Sequence, residues 1–172
     1  NREGDVKLLK NYQKKYNYKI INPKPLKKIK KIISSTLIRK LLVQGKLNKA
    51  NYLLNRNWSI KGTVQKGRMM GKKIGFPTAN IKMDDYIIPK LGVYAVRVKL
   101  ENGRRLLKGI ANIGYRPTFN QKKILLEVNL FNFNKNIYNK KLTVEFLKFI
   151  RKEKKFNGIN ELRKQIKIDS VK

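Results

Sequence analysis

Histidine and cysteine are both missing from the 172 residues. Without cysteine there is no disulfide and no thiolate metal site. Without histidine, the commonest metal ligand and the commonest general base are gone. Acidic residues are also scarce, ten against 43 lysines and arginines, so any catalysis rests on a few carboxylates, on lysine, arginine, hydroxyls and amides, and on a hard metal ion. No run approaches the ~18 apolar residues that cross a bilayer. The stretch from Asn1 to Lys10 also lacks the apolar core of a signal peptide. A soluble, cytoplasmic protein without a membrane partner is expected, and no internal repeat or low-complexity linker divides it.

What is present suits a globular protein. A hydrophobic content of 41% with 9% aromatic residues is enough for a packed interior despite the charge, and the length allows one domain with an extension. The formal charge of +33 attracts phosphate. Lysine, asparagine and isoleucine share A/T-rich codons, however, and the lysines are spread along the chain rather than gathered in a tail. A generally solvated basic surface is therefore the favoured reading, and nucleic acid is not the expected partner.

Along the chain, Val6, Leu9, Tyr12 and Tyr16 lie at helical spacing, and "YKIINPKP" reads as a short strand stopped by Pro23 and Pro25. In "SSTLIRKLLVQGKLNKANYLLN", Ser34 or Ser35 can cap a helix, and an apolar face broken at Gly45 makes two helices with a turn. From Trp58 the pattern alternates. "WSIKGTVQKG", "GVYAVRVKL", "RLLKGIANIG", "ILLEVNLFNF" and "KLTVEFLKFI", with a short sixth run at "TANI", predict a closed antiparallel, Greek-key-like six-stranded β-barrel, because closure hides strand edges. A C-terminal helix capped at Asn157 should then turn Ile159, Leu162, Ile166 and Ile168 inward. Domain boundaries are expected at residues 1–56 and 57–172.

The stretch "QKGRMMGKKIGFPTAN" interleaves Gly67, Gly71 and Gly75 with Arg68, Lys72 and Lys73. Such a loop permits close approach to a phosphate and supplies cations for it. It matches neither the P-loop nor the dinucleotide fingerprint, and a basic hairpin loop without a ligand is the commoner object. Alternation puts Thr78 and Asn80 on one side of an extended segment, two neutral oxygen donors of the kind that suits Mg²⁺ beside phosphates; the plainer alternative is a satisfied buried turn. Among the strand carboxylates, Glu145 reads as solvent-facing or as half of an internal salt bridge. Glu127 either faces solvent or points into a site as a general base, since proton removal from a hydroxyl needs a fixed carboxylate where no histidine exists.

"GKKIGFPTANI", "LGVYAVRV", "GIANIGYRPTF", "LEVNLFNFNKNIYNKKLTVEF" and "IRKEKKF" resemble, in order and spacing over about residues 57–169, the riboflavin kinase domain of the bacterial bifunctional riboflavin kinase/FMN adenylyltransferase (FAD synthetase). "NREGD" and "ISSTLIR" look like the end of that family's adenylyltransferase domain, so residues 1–56 would be the α-helical remnant of an α/β nucleotidyltransferase domain. The resemblance implies a mainly β barrel with a C-terminal helix that transfers the ATP γ-phosphate to the riboflavin ribityl 5′-hydroxyl, giving FMN. It implies Mg²⁺ and phosphates at Thr78 and Asn80, with Pro77 in the same motif, and a nucleotide enclosed by Gly67, Gly71, Lys72 or Lys73, and Gly75. Glu127 would be the base, Arg116 and Arg151 contacts on the flavin side, and Ser34, Ser35, Thr36 and Arg39 part of the remnant's ATP-phosphate motif.

The chain departs from the family in three places. The loop usually richer in arginine and glycine reads "GRMMGKKIG". Asn129 and Asn132 stand where histidine and aspartate are common, and the histidine-containing HxGH-type motif of the adenylyltransferase is absent. FMN-to-FAD conversion by these residues alone is therefore not expected. The alternatives are a fragment of a bifunctional FAD synthetase, or a basic barrel that grips single-stranded nucleic acid. With its partner half absent, Leu41, Leu42, Leu53 and Leu54 are expected to expose an apolar stripe that favours self-association.

Overall fold

A computed structural model describes residues 5–28, 31–67, 71, 75–83, 85–101, 103, 105–117 and 122–171, with only the backbone of residues 31, 116, 117, 122 and 123. The chain forms two compact units, residues 1–33 and 34–172. In the first, helix α1 (Val6–Tyr16) is capped by Asp5, whose side chain accepts from the Leu8 amide, and it ends on Asn17 in the left-handed conformation. The segment expected to be a strand, "YKIINPKP", has no regular structure. Its two prolines remove backbone donors, and pairing begins only beyond them, in the hairpin β1 (Lys27–Lys28) and β2 (Lys31–Ile32).

The second unit opens with α2 (Ser35–Val43), capped by the Ser34 hydroxyl, and α3 (Leu47–Leu54). Gly45, at φ +73, makes the turn between them. Leu41, Leu42 and Leu53 are buried together with Ile38, Leu47 and Ala50, and Leu54 is half-buried. This overturns the exposed apolar stripe expected from the sequence. The helices are covered by their own barrel: Asn51 Nδ2 donates to the Phe146 carbonyl, its Oδ1 accepts from the Trp58 amide, and the Lys90 amide donates to the Leu42 carbonyl.

The six strands fall where the alternating runs predict: β3 (Ser59–Thr63), β4 (Thr78–Lys82), β5 (Gly92–Leu100), β6 (Leu106–Pro117), β7 (Lys122–Leu130) and β8 (Lys141–Arg151). All pairings are antiparallel, in the spatial order β3-β8-β5-β6-β7-β4. The ring is nearly closed. One isolated bridge joins Gln65, just past β3, to Asn80 of β4, with the Gln65 amide donating to the Asn80 carbonyl at 2.8 Å. The interior is filled by Ile60, Ile81, Val98, Ile113, Leu126, Val128, Leu142 and Val144, all at most 1% exposed. Tyr94 and Phe146 stack edge to face beneath Trp58, and burial pushes the Tyr94 phenol far above its usual pKa while its hydroxyl donates to the Lys90 carbonyl.

Helix α4 (Ile159–Val171) closes the chain. The expected inward face is only partly right: Leu162 and Ile166 are half-buried, whereas Ile159 and Ile168 are about half exposed. The buried residue of the helix is Asp169. Gly158, not Asn157, precedes the first turn, with its carbonyl accepting from the Leu162 amide. Glu161 turns back to accept from the Asn157 amide at 3.1 Å, an interaction that lowers its carboxyl pKa.

Candidate active site

Strand alternation sorts the barrel residues into two sets. Ala79, Ile81, Leu126, Val128, Ala111 and Ile113 fill the interior; Thr78, Asn80, Glu127, Asn129 and Asn112 occupy the other face. Register aligns that second set across three neighbouring strands, with Thr78 opposite Asn129, Asn80 opposite Glu127, and Glu127 opposite Asn112. A cavity of about 310 Å³ lies over this face, walled on its far side by α4 and residues 151–156. It brings together Gly71, Thr78, Glu127 and Arg151, four of the residues singled out in the sequence. A second cavity of about 470 Å³ is bounded by Pro77, Thr78 and the segment Phe133–Tyr138. Thr78 belongs to both.

Asn80, two residues along β4 from Thr78, lines neither cavity. It is 5% exposed, and its Oδ1 is buried with no hydrogen-bond partner among the described residues. Gly67 lies against it so closely that a Cβ would run into the Asn80 carboxamide. A buried, unsatisfied oxygen is a costly arrangement unless a ligand meets it. Among the described residues between Gly67 and Asn80, the Phe76 amide donates to the Gly71 carbonyl at 2.8 Å and Gly75 lies at φ +83. Gly75 does not reach the main cavity; it borders a separate cleft with Phe76 and the α4 residues Asn160, Arg163, Lys164 and Lys167. Lys72 and Lys73 lie outside the described residues, and Arg116 is described only by its backbone, opposite Lys123 at the end of β6. Ser34, Ser35, Thr36 and Arg39 form the first turn and a half of α2 and line none of these cavities.

Arg151 borders the cavity with its charge already engaged. Its Nε and Nη2 donate to the Asp169 carboxylate at 2.7 to 3.1 Å, and its Nη1 donates to the Lys152 carbonyl at 3.0 Å. The pair is well shielded, with the Asp169 side chain 1% exposed and also accepting from Gln165. Two places in the β5–β8 pairing give β8 one extra residue, and such bulges re-aim the strand end that carries Arg151. By contrast, Glu145 lies far along β8 in the expected internal salt bridge. Arg97 donates to it at 2.8 Å and Asn57 at 3.3 Å, and the Arg97 hydrogen bond is the main reason its carboxyl titrates below the usual range.

Asn112, Glu153 and Phe156 are site residues that the sequence did not single out, and Asn129 stood out there only as a departure from the family pattern. Asn129, 8% exposed, donates to the Pro77 carbonyl at 2.8 Å and so fixes the Pro-Thr turn. Asn112 and Glu153 are hydrogen-bonded to one another on the cavity wall, with Phe156 beside them. The scarcity of acids that singled out Glu127 could also have pointed to Glu153 and Asp169. Asn129 and Asn112 carry no local signal, because only register reveals their neighbours. Among the described residues no group of three or more histidine, cysteine, aspartate or glutamate side chains is placed to hold a metal; the oxygen donors that fit a hard cation are Asn80 Oδ1 and the Thr78 hydroxyl.

A family model described as flavokinase, riboflavin kinase, matches residues 54–172. The bifunctional riboflavin kinase/FMN adenylyltransferase of Bacillus subtilis (strain 168) is 47% identical over 143 residues, which cover 81% of this chain and 45% of the relative. The protein of the same description from Buchnera aphidicola subsp. Schizaphis graminum (strain Sg) is 43% identical over 171 residues, 98% of this chain and 54% of the relative. That of Escherichia coli (strain K12) is 38% identical over 170 residues, 99% and 54%. The chain thus spans about half the length of the curated relatives it matches. A solved structure described as a macrolide-efflux protein from Streptococcus pneumoniae has the same fold, with a TM-score of 0.82 and 34% identity over 98% of this chain and 54% of that one. Among the described residues no helix is long and apolar enough to cross a membrane. With the ordered motifs, the six-stranded barrel and the family match in agreement, the chain belongs to the riboflavin kinase (flavokinase) family.

Proposed function

We propose that this chain transfers the γ-phosphoryl group of ATP to the ribityl 5′-hydroxyl of riboflavin, giving FMN and ADP. The observation that carries the reading is the cross-strand register of Asn80 with Glu127, beside a Thr78 shared by two cavities. The reaction needs two substrates to meet at one point, and the junction offers one compartment to each. The larger cavity, at Pro77 and Phe133–Tyr138, takes the nucleotide, whose phosphates extend past Thr78 toward Gly71 in the neighbouring cavity, with Gly67, Gly75 and Lys72 or Lys73 assigned to the phosphate loop by the family motif. The smaller one takes the flavin, between Glu127 and an apolar wall that includes Ile110, Phe156 and Leu162. Arg116, whose backbone lies at the end of β6, is a further contact to flavin or phosphate in this reading. Arg151 bounds the flavin compartment and, through Asp169, holds its α4 wall.

In the chemical step Glu127 accepts the 5′-hydroxyl proton as that oxygen bonds to the γ-phosphorus and the bond to the β,γ-bridging oxygen breaks, leaving ADP. Asn80 Oδ1 and the Thr78 hydroxyl would hold Mg²⁺, which when bound offsets charge on the phosphate oxygens. Asn129 keeps Thr78 in place through the Pro77 carbonyl. Residues 1–56, with Ser34, Ser35, Thr36 and Arg39, correspond in this reading to the end of an FMN adenylyltransferase domain; the bifunctional description and partial coverage of the relatives support it. The kinase works on small metabolites in the cytoplasm. Incubating the purified chain with riboflavin, ATP and Mg²⁺ tests the reading: ATP-dependent FMN is expected, and its absence under conditions where the chain is folded overturns it.

A further inference from the structure

The segment after β8 carries an acidic residue that the reaction described above does not use. Two of the charged residues near it are paired, Arg151 with Asp169 and Lys154 with Glu161 at 3.1 Å. Glu153, between them, meets no cation among the described residues. Its one polar contact there is with Asn112, whose Nδ2 donates to Glu153 Oε1 at 3.2 Å. Glu101, Glu145, Glu161 and Asp169 each meet a lysine or arginine; Glu153 instead lies on a cavity wall.

Its seat is specific. Glu153 lies against Gly114 of β6, where a Cβ would collide with the carboxylate. Glycine weakens a strand interior, so the open space beside Gly114 is what admits Glu153 to the wall of the cavity that also holds Glu127. Asn112 sits between the two acids, opposite Glu127 in register and hydrogen-bonded to Glu153. Glu153 is therefore displaced from the base by one strand spacing, ~5 Å, plus one hydrogen bond. The remaining walls near it are largely apolar, including Val93, Phe156 and Ile166. Glu153 is itself exposed, so its carboxylate is open to the hydroxyl donors of a ligand seated in the cavity.

We propose that Glu153, seated by Gly114 and Asn112, accepts hydrogen bonds from the inner ribityl hydroxyls of the flavin and so selects for the polyol chain. The inference rests on the riboflavin kinase reading. With the 5′-hydroxyl at Glu127, the flavin groups one strand further along are the other hydroxyls of the same chain, and these are donors. Flavin fluorescence titration of the full chain, comparing riboflavin with a flavin that lacks the 2′- and 3′-hydroxyls, tests it without needing turnover.

Wild type should prefer riboflavin by about ten- to hundredfold, the scale of hydrogen bonds to a charged group. Glu153→Ala should bring that ratio close to one while leaving ATP affinity in place. Gly114→Ala, which pushes the carboxylate aside, should lower the ratio in the same direction. A purely structural role would weaken both flavins alike and keep the ratio, and that result overturns the proposal, as does an unchanged ratio in either variant. A wild type that binds flavins with this preference yet forms no FMN would sink the kinase reading and leave the Glu153 contact standing.

Discussion

In the proposed reaction Glu127 is the base, and the chain has no histidine to share the work. Glu127→Gln keeps the shape and removes the base, so turnover should fall by about 10²- to 10⁴-fold while the KM for ATP changes little; near-normal turnover in a steady-state FMN assay would take the role away from Glu127. A different carboxylate governs acid stability. The Arg97 guanidinium holds the Glu145 carboxyl below its usual range. A depressed folded-state pKa stabilises the protein above the unfolded value, and the contribution is lost as pH falls through the folded value. Melting temperature should therefore drop more steeply below about pH 4.3, the ordinary glutamate value, in wild type than in Arg97→Met; parallel acid profiles for the two would contradict this.

Among the elements, α2 and α3 illustrate how much the surroundings decide. Their apolar positions are plain in the sequence, yet whether Leu41, Leu42 and Leu53 meet solvent or a partner depends on the barrel placed behind them. Because Leu42 is 2% exposed, Leu42→Ala should destabilise the second unit by ~2–5 kcal/mol, measured by urea denaturation; a change under ~0.5 kcal/mol would mean that the helices do not rest on the barrel in solution. The same dependence explains what the sequence made legible. The six strands are readable because β-branched runs broken by Gly, Asn and Pro turns are local signals. "YKIINPKP" has the composition of a strand but no neighbour to pair with. The α4 face was misread because apolar spacing alone leaves out Asp169, which is buried by virtue of an arginine on β8. For the site, Thr78, Asn80 and Glu127 stand out as polar residues in apolar strands, whereas Asn112, Asn129 and Glu153 matter only through contacts dozens of residues away in the chain.

At the scale of the whole molecule, the division at residues 33 and 34 has a direct test. A chain of residues 34–172 should keep the far-ultraviolet spectrum of the barrel and form FMN at a rate close to that of the longer chain; loss of folding would show that the first unit is required. Neither form should make FAD when given FMN, ATP and Mg²⁺, since the 172 residues carry no histidine for an HxGH-type motif; any FAD from pure protein would refute this. The barrel itself is joined at its seam by the Gln65–Asn80 bridge, and the strand residue at that seam is also the one with the buried, unsatisfied side-chain oxygen. A ligand that satisfies the Asn80 carboxamide therefore also locks the fastening of the ring, and by linkage the free energy of binding is felt as resistance to opening there. Hydrogen exchange at the Gln65 amide should slow when MgATP is added, more than at the β5–β6 pairing on the opposite side; equal protection at both would separate the seam from the site. Occupancy by nucleotide would then be the clasp of the barrel, so that the empty enzyme is the looser cylinder and the charged one the tighter.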